Sequence, residues 1–230
     1  MTTELTKTNE STQLTTSHAG VSASGVSSSD IQFPSLQLIQ KMSKVVDIHG
    51  VKPGGIFDSI ENKVLVEEGK ALEFMPLFMT KFWNVYKLTN GEFEFEKRVA
   101  FGPDNADWRF EGTGEDGIPV ERQLIISWMA LLVSDLSLPY KLAFKGASFQ
   151  NGKKLCTLVA KGEFMGLPSF GKVYNLLSTK EQNDKGTFWK FDVTPARLAT
   201  AEELATASRW SKLLGQAPIE KVIDESAGEA

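Results

Sequence analysis

Asn90-Gly91 restricts this chain more than any other dipeptide in it. Both residues tolerate positive φ, which a two-residue turn between antiparallel strands demands. The flanks agree, with "FWNVYKLT" before the turn and "EFEFEKRVAF" after it. In the second arm Phe93 and Phe95 alternate with Glu92, Glu94 and Glu96, the pattern of a strand with one face in and one face out. From Val51 to this hairpin the chain is punctuated at Pro53-Gly54-Gly55, Glu61-Asn62 and Glu68-Gly69, which fits successive strands.

The rest of the chain extends this β-rich reading. "IQFPSLQLIQKMSKVV" opens the ordered part as a short strand or helix, which periodicity does not decide. "RQLIISWMALLVSDL" is a continuous apolar run whose β-branched and aromatic content favours a strand, and "YKLAFKGASF" follows as another. "NGKKLCTLVAKGEF" places Leu155, Leu158 and Val159 at helical spacing after an Asn151 cap. "KVYNLLSTKEQNDKGTFWKFDV" is a second hairpin. "TPARLATAEELATASRWSKLLG" ends in a helix with a Thr200/Glu203 capping box and an apolar stripe of Leu204, Ala207 and Leu214. The expected fold is mostly β with a few helices: an OB-like antiparallel barrel or curved sheet, with an inserted helix and a C-terminal helix. The expected organisation is a disordered Ser/Thr-rich tail over 1–30, one domain over 31–215 and a flexible acidic tail over 216–230.

Several chemistries lack their residues. No GxxxxGK[ST] phosphate loop and no GxGxxG fingerprint is present. One cysteine, Cys156, permits no internal disulfide, and with only His18 and His49 it cannot build an ordinary Cys/His zinc site. Asp104, Asp107, Glu111, Glu115 and Asp116 crowd the loop "GPDNADWRFEGTGEDGIP", without calcium-loop spacing; a solvated acidic loop is the plainer account. The expectation is a protein that is not an enzyme and carries no cofactor or metal. No apolar run is long enough for a membrane helix and the N-terminus lacks a signal-peptide pattern, so a cytoplasmic location is expected.

Charge is distributed unevenly. The formal net charge is -4, yet Tyr140 to Arg197 holds ten basic side chains and four acidic ones, a local excess of six positive charges. After Leu198 the balance reverses, with three basic against six acidic. Within the basic segment, period-two alternation puts Thr187, Trp189, Phe191 and Val193 on one strand face and Phe188, Lys190 and Asp192 on the other. Lys141, Ala143 and Lys145 likewise oppose Leu142 and Phe144, and Trp83, Val85 and Lys87 oppose Phe82, Asn84 and Tyr86. Rings beside ammonium groups on a sheet suit single-stranded nucleic acid: unpaired bases stack on the rings while lysines follow the phosphates. The stacking candidates are Trp83, Tyr86, Phe188 and Trp189. The phosphate candidates are Lys87, Lys141, Lys145, Lys153, Lys154, Lys185 and Lys190. Core packing and protection of strand edges explain the same residue types without any ligand.

The segments "FPSLQLIQKMS", "KPGGIFDSIENKVL", "LPYKLAFKGASFQNGKKL" and "VYNLLSTKEQNDKGTFWKFDV" together resemble a group of phage-encoded, OB-like single-stranded DNA-binding proteins. The resemblance spans roughly residues 33–195 and leaves out the Ser/Thr-rich start. It implies binding of single-stranded DNA during replication or recombination in an infected bacterial host, with partner proteins recruited by the acidic tail. Some members of that group carry a central cysteine cluster; here the acidic loop stands in its place, so no metal is carried over. A phage structural or interaction protein without DNA affinity is the alternative, and a metal-dependent nuclease using the acidic loop is a third reading.

Overall fold

A long two-strand ladder organises the molecule. In the computed structural model, which describes residues 32–215 apart from residue 185 and only the backbone of His49, the ladder joins β4 (Leu72–Thr89) to β7 (Pro119–Leu132). The pairing runs from Phe74 opposite Leu132 to Lys87 opposite Val120. The register shifts between Pro76 and Phe78, at a proline that has no N–H to give a ladder. On one edge β4 pairs first with β9 (Lys172–Asn183), through Leu72 to Phe74, and later with β5 (Glu92–Ala100), through Phe82 to Thr89. The far edge of β7 is shared in the same way between β6 (Glu111–Thr113) and β8 (Asp135–Phe144). The Asn90-Gly91 turn joins β4 to β5 with φ of 52° and 90°, as the dipeptide predicts.

Around this spine the strand path is β10 (Gly186–Leu198), β9, β4, β7, β8, β1 (Ser35–Leu38), β2 (Ile56–Asp58), β3 (Lys63–Val66). With helix α2 (Phe149–Phe164) between β8 and β9, the order β8-β7-β4-β9-β10 is that of an OB-type sheet. The expected β-rich fold with a few helices is therefore present, as a curved sheet and not a closed barrel. It is also not purely antiparallel, because β1 runs parallel to β8. Where closure would occur, side chains bridge the two ends. The Gln40 amide donates to the Trp189 carbonyl at 2.8 Å, and the Trp189 N–H donates to Gln40 Oε1 at 3.0 Å. The Trp189 indole N–H donates to Glu68 Oε1 at 2.8 Å. Gly54, at φ +90°, lies so close that a Cβ there would meet Trp189 Nε1 at 2.6 Å.

Alternation along each strand separates two cores. One face gathers Phe74, Ile126, Trp128, Leu142, Phe144, Tyr174, Phe191 and Val193 into a cluster that α2 caps with Leu155 and Val159. Gly152 permits this approach, since a Cβ there would fall 2.7 Å from Phe144 Cβ. The helix starts at Phe149, two residues before the expected Asn151 cap, so Asn151 lies within it. The opposite face gathers Met75, Leu77, Met129, Leu131 and Val173 under α3 (Ala201–Gly215), whose Ala207 and Leu214 pack into it. The Thr200/Glu203 capping box forms: the Thr200 N–H donates to Glu203 Oε2 at 2.7 Å, and the Glu203 N–H to Thr200 Oγ1 at 3.3 Å. The fully buried Asp58 ties β2 to β8 by accepting from the Tyr140 hydroxyl at 3.1 Å. Burial of that tyrosine, with the Asp58 charge beside it, pushes its pKa well above the usual phenol value.

"IQFPSLQLIQKMSKVV" resolves into β1 followed by the short helix α1 (Lys44–His49). The tails expected over 1–30 and 216–230, with His18, lie outside the described residues. Among the described residues no helix is long and apolar enough to cross a membrane.

Candidate nucleic-acid interface

Beyond the reach of α3 its face of the sheet continues as a groove across six neighbouring strands. Cross-strand pairs set its floor, because directly opposed residues project to the same side. Tyr86 stands opposite Phe95, Asn84 opposite Arg98, and Phe82 opposite Ile125. Ser127 stands opposite Ala143, Lys141 between Met129 and Ser35, and Gln37 opposite Phe57. All of these line a space of about 950 Å³, walled by Lys44 and Val45 of α1 on one side and by Phe188 and Trp189 of β10 on another.

Among the described residues the groove's charged lining is basic. Lys44, Arg98, Lys141 and Lys145 line it, and no described lining residue is Asp or Glu. That is a marked local imbalance in a chain of net charge -4. Lys145 and Lys44 are exposed, whereas the Lys141 side chain runs along the floor and is 7% exposed. The rings at hand are Tyr86 and Phe188, both half-buried, and Phe95, 38% exposed. Tyr86 and Phe95 meet edge to face at 5.9 Å between centroids. Phe82 forms buried floor, and Arg98 sits over its ring with Cζ 4.3 Å from the centroid. Arg98 Nε donates to Asn84 Oδ1 at 3.0 Å, and the Asn84 amide donates to the Tyr86 hydroxyl at 3.4 Å.

Of the residues that the sequence singled out, the structure brings Tyr86, Lys141, Lys145, Phe188 and Trp189 to this groove. Trp189 reaches only its edge: it is 8% exposed and its indole is held by Glu68. Trp83 and Lys87 lie elsewhere, because odd positions of this part of β4 face the other side of the sheet. Trp83 is 5% exposed and packs beside Trp108 at 6.1 Å between centroids. Lys87 pairs with Asp116; the Asp116 carboxylate holds its ammonium above the usual lysine range, and the lysine holds Asp116 below the usual carboxylate range. Lys190 pairs with Glu181, and Lys154 with Asp192 at 3.0 Å. Lys153 lies on α2 over the Phe149 ring, 5.2 Å from its centroid. Lys185 lies outside the described residues. In the acidic loop Asp116 is committed to Lys87, and among the described residues no group of three or more His, Cys, Asp and Glu is placed to hold a metal ion.

Sequence reasoning missed Lys44, Phe95 and Arg98. Phe93 and Phe95, read as the inward face of β5, instead share the groove side of an exposed arm and are 41% and 38% exposed. Phe95 had a usable signal, since a two-residue turn at Asn90-Gly91 pairs it with Tyr86. Arg98 had none: a bulge between Val85 and Tyr86 puts it opposite Asn84, where regular pairing would put Lys97.

No curated protein and no solved structure matches the chain. The sequence model of the Pam3 phage gp34-like protein family matches residues 6–118 and 127–216, and so reaches into the Ser/Thr-rich start that the resemblance left out. The chain belongs to the Pam3 phage gp34-like protein family.

Proposed function

We propose that this phage-family protein is a non-enzymatic single-stranded DNA-binding protein whose ligand lies in the groove across β5, β4, β7, β8, β1 and β2. The observation that carries this reading is the groove's lining: four basic side chains, accessible rings and, among the described residues, no carboxylate. Lys141, Lys145, Lys44 and Arg98 neutralise phosphates, and Tyr86, Phe95 and Phe188 offer faces to unpaired bases. Each stacked base contributes roughly 1–3 kcal/mol. Paired DNA hides those base faces, so single strands are preferred. Five strand spacings of about 4.8 Å give a track on the order of 24 Å, which suits the short end of OB-type footprints. Its role is to protect or present single strands in replication or recombination.

The reading is tested by titrating the protein with oligo-dT at low salt while following tryptophan fluorescence, since Trp189 borders the groove. Saturable quenching is expected; an unchanged signal together with unchanged mobility rejects the reading. A second reading, an interaction component of the phage, draws on exposed apolar side chains near the C-terminal ends of α2, β10 and α3: Phe164 at 95%, Met165 at 72%, Leu198 at 63% and Leu213 at 61%. It predicts a defined protein assembly that forms without DNA, which size-exclusion chromatography with and without oligonucleotide separates from the first.

A further inference from the structure

Strand β5 is an edge. Among the described strands it pairs only with β4, so its outer row of N–H and C=O groups carries no ladder. Glu92 to Lys97 are all exposed, Phe93 and Phe95 among them. The charges of this edge are sorted along it: Glu92, Glu94 and Glu96 come first, Lys97 and Arg98 last. Among the described residues Glu92, Glu94 and Lys97 enter no ion pair. Charge on an edge ordinarily prevents pairing. Sorted charge prevents it only against an in-register parallel copy, where like meets like. An antiparallel copy sets the acidic half of one strand against the basic half of the other.

The bulge in β5 supplies a register. Glu94 stands opposite Lys87 and Lys97 opposite Val85, so both project from the face away from the groove although they are an odd number of residues apart. Phe93, opposite Leu88, and Arg98, opposite Asn84, both project on the groove face. An antiparallel pairing with its axis between Phe95 and Glu96 opposes Glu94 to Lys97 and Phe93 to Arg98, so each residue meets one from its own face. Glu96, nearest the axis, is opposed by Phe95 and meets no like charge directly across. A twofold axis normal to the sheet produces this pairing and keeps both grooves on one side.

We infer that β5 is a self-pairing edge: two copies of this chain join antiparallel along it, Glu94 of each against Lys97 of the other. The two sheets then become one, and their grooves abut in a single track on the order of 50 Å long, eleven strand spacings. The pairing does not depend on the single-strand reading, and it is tested without DNA.

The mass of the full chain in solution is measured by light scattering at low salt over a range of concentrations. The samples are the unmodified protein, Glu94→Lys, Lys97→Glu and an equimolar mixture of these two variants. The unmodified protein is expected at twice the chain mass. The axis repeats each ion pair, so one reversal disturbs two, and roughly tenfold weaker dimerisation is expected of each variant alone. Mixing the variants restores the dimer, because one copy then brings both basic partners and the other both acidic ones. Amide hydrogen exchange along β5 that slows as the unmodified protein is concentrated supports the inference without any variant. A monomer at every concentration, with β5 exchanging equally fast throughout, overturns it. So does a dimer that neither reversal weakens, which belongs to another surface, and so does a mixture of folded variants that stays monomeric.

Discussion

Strands β8 and β10 carry the same kind of sequence, basic side chains set among large apolar residues, yet their basic groups lie in different settings. On β8, Lys141 lies between Met129 of β7 and Ser35 of β1, and Lys145 follows at the strand's end; both line the groove. On β10, Lys190 is paired with Glu181 of β9, and Arg197 with Glu203 at 2.7 Å and Glu73 at 3.3 Å. Alternation decides which way a side chain points. The neighbouring strand decides which groups its charge meets. The rings of β10 divide in the same way: Trp189 fastens the ends of the sheet, while Phe188 beside it faces the groove.

This contrast can be broken or sharpened by substitution. Trp189→Ala removes the indole that joins Glu68 and packs against Gly54, and should cost about 3 kcal/mol or more, as truncated buried aromatics do. Urea denaturation measures it; a loss under 1 kcal/mol would mean that the seam is not structural. The double variant Lys44→Glu/Lys145→Glu changes two exposed groove charges and should weaken oligo-dT binding roughly fiftyfold at low salt, with a shallower salt slope and unchanged stability. Equal affinity for both proteins would remove the groove from the account.

The match between Glu203 and Arg197 gives a pH signature. The Arg197 hydrogen bond, outweighing burial, depresses the Glu203 pKa to about 2. A depressed carboxylate contributes stability above its unfolded pKa and loses it as pH falls through the folded one. Glu203→Gln should therefore destabilise the protein near neutral pH by on the order of 1–2 kcal/mol, discounted because Arg197 is 38% exposed. The difference should shrink between pH 4.5 and about 2, and thermal melts of both proteins across that window check it. Phe188→Ala should weaken binding roughly tenfold and leave folding intact, the reverse of Trp189→Ala. The smallest effect belongs to Lys190→Ala: less than about twofold on binding and within about 0.5 kcal/mol on stability, because its charge is matched at the surface.

Much of the scaffold was legible because local signals agree with the fold. Asn90-Gly91 fixed one hairpin, alternation in "FWKFDV" put Trp189, Phe191 and Val193 on one face, which is the core face although Trp189 was also a stacking candidate, and Thr200 with Glu203 marked the start of α3. The site was legible only in part. Tyr86, Phe188, Lys141 and Lys145 were visible as exposed-face residues, but Trp83 and Tyr86, an odd number apart on one strand, cannot serve one surface. Ion pairs from distant segments, such as Lys154 with Asp192 and Lys87 with Asp116, leave no mark on period-two patterning. The bulge that brings Arg98 to the groove is likewise a register event, invisible in the composition of β5.

The most direct measurement is a gel-mobility series comparing single-stranded and duplex oligonucleotides of equal length across a range of salt. The account predicts a shift of the single strand at low salt, a log–log salt slope of up to about −3 for four neutralised phosphates, and weaker binding of the duplex. No shift at any salt, or duplex bound as tightly as the single strand, contradicts it.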